Sequence, residues 1–83
     1  MITFESFKRI EGTKLPTWEL PLSRGAAIRV EKFDEDAEQG YGYTIYRVAH
    51  GYACKVTSAY FDGFGNDDRP GDVIHTIRLM LEE

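Results

Sequence analysis

The sequence predicts an α+β domain: a small antiparallel sheet of three or four strands, with a C-terminal amphipathic helix packed on one face and a short N-terminal helix. Three observations carry this expectation. Tyr41–Phe61 holds two runs of Tyr, Val, Thr and Ile on either side of His50-Gly51. β-Branched and aromatic residues suit a pleated, half-buried surface, and a two-residue loop ending in Gly fits a tight hairpin. Ala26–Phe33 alternates, with Ile28 and Val30 to one side and Arg29 and Glu31 to the other. Val73–Leu81 places Val73, Ile74, Ile77, Met80 and Leu81 within an arc of about 120° at helical spacing, enough for a core-facing stripe.

Within the hairpin, pairing Ala49 with Tyr52 sets Arg47, Ile45, Tyr43 and Tyr41 opposite Cys54, Val56, Ser58 and Tyr60 on one face. That face is the more apolar and is expected to be dry. Val48, Tyr46, Thr44 and Gly42, opposite Ala53, Lys55, Thr57 and Ala59, form the wet face, because a strand's side-chain period of two leaves no third choice. Cys54 then reads as a small core residue.

The N-terminal stretch Ile2–Glu11 favours a short helix. Phe4, Phe7 and Ile10 fall three apart, Thr3 is placed to cap the start, and Gly12 follows. Gly12–Gly25 contains Pro16 and Pro21, which exclude a long helix. Trp18, Leu20 and Leu22 alternate there as in an extended edge segment. Trp18 has two readings, a plug over one end of the core or an anchor for a partner. The acidic run Asp34–Gly40 is expected to link the Ala26–Phe33 strand to the hairpin, giving a sequential antiparallel meander. Asp62–Asp72 is turn-rich. Pro70 suits the helix's first turn, Asp67, Asp68 and Asp72 complement its dipole, and Leu79 falls off the apolar stripe.

Length and composition bound the rest. Eighty-three residues make one domain, 1–83, and 42% hydrophobic content argues against disorder. A lone cysteine excludes an internal disulfide, and no apolar run is long enough to span a membrane. With no basic-then-apolar leader pattern, the expectation is a cytoplasmic protein. Net charge is −4 and unevenly spread: residues 31–38 carry five acids and one base, and residues 62–83 carry six acids and two bases. That balance disfavours phosphate backbones and suits a basic partner.

No catalytic, cofactor or metal motif is found. A calcium loop begun at Asp62 would put Phe64 and Val73 where an oxygen ligand and the closing Glu belong. Cys54 and His50 are too far apart along an extended strand to act as nucleophile and base, and the ligand spacing of a zinc site is absent. The candidate surfaces are therefore binding surfaces: the acids Asp34, Glu35, Asp36 and Glu38, the wet-face group Arg29, Tyr46 and Lys55, and Trp18. They suggest a small, acidic, non-enzymatic protein-binding module. One form is an inhibitor that engages the basic, nucleic-acid-binding surface of its partner; small phage-encoded inhibitors often have this size and acidity. The alternative is a single-stranded nucleic-acid platform built from Arg29, Tyr46 and Lys55. Homodimerisation through a sheet edge is a further expectation.

Overall fold

A computed structural model describes residues 2–36, 38–65 and 70–82. Five strands, β1 (Lys8–Ile10), β2 (Thr17–Pro21), β3 (Ala27–Asp36), β4 (Gly40–Ala49) and β5 (Tyr52–Phe61), form one antiparallel meander in chain order. The helix α1 (Val73–Glu82) follows. The class is α+β, with one strand more than the upper expectation.

The extra strand lies in the segment expected to be helical. Only Phe4–Ser6 is helical, as a single 3₁₀ turn closed by Thr3 N donating to Ser6 Oγ at 3.1 Å. Lys8–Ile10 pairs with Thr17–Glu19 instead. A two-turn helix is marginal without tertiary support, whereas β2 offers a ready edge. This moves Trp18 and Leu20 from an edge segment to an inner strand. Pro21 is tolerated because β1 stops pairing at Glu19, so no neighbour on that side requires its missing donor.

The core lies between α1 and one face of the sheet. It comprises Leu20, Ile28, Val30, Tyr43 and Ile45 from the strands, Val73, Ile74 and Ile77 from α1, and Phe7, Phe61 and Phe64 at one end. Met80 packs at the margin as expected. Leu79 faces outward, but Leu81, expected on the buried stripe, is also exposed. Asp72 precedes the helix and its carbonyl accepts the Thr76 N–H at 3.2 Å. Asp67 and Asp68 lie outside the described residues. The neck of the β5–α1 connection is tied twice, Asp62 N to Gly71 O at 2.7 Å and Val73 N to Gly63 O at 3.0 Å.

The hairpin forms around His50-Gly51, both with positive φ (53° and 80°), the conformation of a two-residue turn that follows strand twist. Pairing starts as expected, Ala49 with Tyr52 through Tyr46 with Lys55, and then slips by one at a bulge. Ile45 faces Thr57, Tyr43 faces Ala59 and Tyr41 faces Phe61. An unpaired extra residue reverses the parity of everything beyond it. Ile45 is sealed in the core and Tyr46 is half-buried on the other face, as expected. Val56 is 44% exposed rather than dry, Phe61 takes the core position expected of Tyr60, and Tyr60 turns to the open face. Cys54 is likewise exposed, not buried. It lies on an edge strand whose residues, Thr57 and Phe61 apart, are all exposed.

Burial of Tyr43 pushes its phenol up to about 12, with the nearby Tyr41, Glu35 and Asp72 adding to the effect. The neutral phenol is thus the folded-state form. The sign follows: its contribution is intact below pH 10 and is lost as pH rises from 10 through 12, on the order of 2–3 kcal/mol. Tyr43→Phe should flatten that alkaline limb of stability, as measured by urea unfolding across pH 9–12.

Candidate binding surface

The face of the sheet opposite α1 is laid out by register. One row crosses all five strands: Lys8, Glu19, Arg29, Tyr46 and Lys55. The next row runs Thr17, Glu31, Thr44 and Ser58. Arg29, Tyr46 and Lys55 are thus neighbours, as expected, but the first two are engaged. Arg29 Nη2 lies 2.7 Å from Glu19 Oε2, and the Tyr46 hydroxyl donates to Glu31 Oε1 at 3.3 Å. Burial and the Glu31 carboxylate raise the Tyr46 pKa. Thr44 and Ser58 hydroxyls meet at 3.0 Å across the hairpin. Together the two rows carry three bases and two acids, with Arg29 and Tyr46 tied to Glu19 and Glu31.

Toward the β3–β4 turn the character changes. The segment Asp34–Asp36, expected as a linker, belongs to β3 and pairs with Gly42, Tyr41 and Gly40. A second bulge, at Phe33, re-aims the chain there. Gly42 has no side chain, and the Phe33 ring lies over it: a Cβ at Gly42 would come within 2.7 Å of ring atoms. Phe33 meets Tyr60 edge-on, with centroids 5.7 Å apart. The Tyr60 hydroxyl reaches across the β4 backbone to donate to Asp34 Oδ2 at 2.5 Å. Both rings remain more than a third exposed.

The acids around this pair have distinct local roles. Asp36 Oδ1 accepts the Glu38 and Gln39 N–H groups at 2.8 and 3.1 Å, fixing the turn. Glu35 pairs with Lys32 at 3.2 Å on the helix side, where the Lys32 ammonium also sits over the Tyr41 ring. Asp34 and Asp36 thus lie beside the aromatic pair at one end of the sheet, and Glu38 follows in the turn. Sequence reasoning found the acids but missed Phe33 and Tyr60. The run Lys32-Phe33-Asp34 carried no sign that Phe33 would turn outward.

The Tyr60 hydrogen bond, with a further one from the Glu35 backbone, holds the Asp34 carboxyl below its ordinary 3.8. In return, Asp34 raises the Tyr60 phenol above 10.0. The contribution of Asp34 is therefore present above the ordinary carboxyl range and is lost as pH falls through its lowered value. That of Tyr60 is present below pH 10 and is lost in alkali. Tyr60→Phe should move the Asp34 titration back up toward 3.8, read from its side-chain carboxyl ¹³C shift. No movement would break the assignment.

Trp18 stands apart from these groups. It lies on the helix-side face, half-buried, edge-on to Phe64 at 5.2 Å and to Tyr43 at 6.4 Å, with the Arg9 guanidinium 5.1 Å above its ring. That is the surrounding of a core plug. A shallow apolar groove of about 320 Å³ lies on the same side at the other end of the sheet, between Leu22, Ile28, Val48, Met80 and Leu81, with Arg47 its one ionisable lining residue. Among the described residues, no group of three or more metal-ligating side chains converges, and no helix is long and apolar enough to cross a membrane.

The fold and this surface define a small α+β domain with an exposed aromatic patch, acids beside it, on an antiparallel sheet. Comparison with protein-family models, with curated proteins and with solved structures finds no match to the chain.

Proposed function

We propose that the protein is a non-enzymatic protein-binding module that docks a basic partner surface on the Phe33–Tyr60 patch. The observation that carries this is the exposed Phe33 ring over Gly42, its edge-on contact with the exposed Tyr60, and the Asp34 and Asp36 carboxylates beside them. Preset aromatics supply contact area at low entropic cost, and carboxylates at the margin steer toward positive charge. Masking a nucleic-acid-binding surface is one use of such a patch, and an inhibitor is the corresponding role. The apolar groove brings a single ionisable group to its lining, which fits binding better than catalysis. The internal pairing of Arg29 and Tyr46 leaves fewer free groups for a nucleic-acid platform.

The test is affinity capture from the native host with three baits: the wild-type chain, the Phe33→Ala/Tyr60→Ala double variant, and Leu79→Ser on the outer face of α1. A protein held by the wild type and by Leu79→Ser, released by moderate salt and absent from the double variant, is the expected result. Identical captures with all three baits would sink the reading. Salt-sensitive binding of a labelled single strand, weakened by Lys55→Ala, would replace it with the nucleic-acid alternative.

A further inference from the structure

Arg47 breaks the pattern of its strand. At the strand period of two, Tyr41, Tyr43, Ile45 and Arg47 share the helix-side face of β4. Tyr43 and Ile45 are buried in the core, and Ile28, the register neighbour of Arg47, is 2% exposed. Arg47 is the one charged residue of that series, and it is exposed. Among the described residues it has no ion pair and lies over no ring, whereas Arg29 and Lys32 are ion-paired and Arg9 covers Trp18.

The apolar groove on the helix side is lined by this residue. The rest of its lining is Leu, Ile, Val, Ala and Met, with no aromatic ring, and Leu22 and Leu81 are 37% and 42% exposed. Its volume of about 320 Å³ is at the low end for a small-molecule site. With no ring to stack on, it suits a flexible alkyl chain better than a planar group, and the thioether of Met80 adapts to such a chain. Local charge selects the head group. Residues 20–30 hold Arg24 and Arg29 and no acid, and residues 43–61 hold Arg47 and Lys55 and no acid. The register sets these stretches side by side. Glu82 follows Leu81 at the negative end of the α1 dipole, so an anion is drawn to the β4 side of the groove, at Arg47.

We propose that the groove binds a short-chain alkyl carboxylate. Its chain lies along Leu22, Met80 and Leu81, and its carboxylate meets the Arg47 guanidinium, whose forked donors match the two carboxylate oxygens. The groove is at the other end of the sheet from Phe33 and Tyr60, and its occupancy does not depend on that patch binding anything.

Amide chemical shifts of the full chain, followed while octanoate is titrated in, test this. The expected result is a saturable shift centred on Leu22, Ile28, Val48 and Leu81. Octylammonium has the same chain and the opposite charge and should bind at least tenfold more weakly. Acetate, the head group alone, should give no saturable shift. Arg47 is exposed, so Arg47→Gln should fold as the wild type does. That variant should bind octanoate at least tenfold more weakly and neutral octanol unchanged. Shifts that do not saturate or that centre elsewhere, equal affinity for octanoate and octylammonium, or undiminished octanoate binding by Arg47→Gln would each overturn the inference. Shifts at the same residues that grow with protein concentration alone would give the groove to a second copy and overturn it as well.

Discussion

Truncating Phe64 to alanine should lower folding stability by about 3–5 kcal/mol, the range for losing a buried aromatic side chain. Phe64 sits in the connection between β5 and α1, yet it is buried and is the hub of the aromatic cluster. Its ring meets Phe4 at 5.0 Å, Phe7 at 5.1 Å, Trp18 at 5.2 Å and Tyr43 at 5.5 Å, all near edge-on. Each such pair adds roughly 0.5–1.5 kcal/mol beyond area burial. A domain of this length has a total stability of roughly 4–12 kcal/mol at the usual per-residue value, so the variant should be marginal or unfolded at 25 °C. Urea unfolding monitored by Trp18 fluorescence reads this directly. A loss under 1 kcal/mol would mean that the connection does not pack as described.

Gly40→Ala should be nearly as damaging, at about 3 kcal/mol or more. Gly40 has φ +100°, and a Cβ there would meet the Phe61 carbonyl oxygen, which is backbone and cannot swing aside. Left-handed conformation alone costs an L-residue roughly 1–2 kcal/mol, and the clash adds to that. Gly42→Ala is the informative contrast. The three atoms nearest its Cβ all belong to the far end of the partly exposed Phe33 ring. That variant should fold with a small loss while tilting Phe33 off the patch. Similar unfolding midpoints for the two alanine variants would contradict the geometry.

The strands that alternate strongly were legible from residue order alone. Ile28 and Val30, Ile45, and the His50-Gly51 turn lie where periodicity and turn chemistry put them. The α1 stripe was equally plain, except at Leu81, which is exposed at the margin of the apolar groove. What was hidden shares a physical cause. A bulge adds one residue without altering composition, so nothing in Lys55-Val56-Thr57 announced the slip that exchanged Tyr60 and Phe61. β1 was hidden because Phe4, Phe7 and Ile10 fall three apart, as on a helix face, and pairing with β2 overrode that spacing. Asp34–Asp36 has poor intrinsic strand preference; its pairing with Gly40–Gly42 supplies what the residues lack. The binding surface followed the same division. Its acids could be nominated from charge, but the Phe33–Tyr60 contact depends on two bulges and a missing side chain at Gly42.

A sheet whose neighbours in space are also neighbours in the chain has a kinetic consequence. Each hairpin can close with only a short loop to order, so the meander should zip up rapidly. The cluster around Phe64 is different, because it joins Phe4 and Phe7 to a residue nearly sixty positions later. By that separation the contact is expected to form late on the folding route. The packing of this one ring should therefore govern how long a folded molecule lasts rather than how quickly a new one forms.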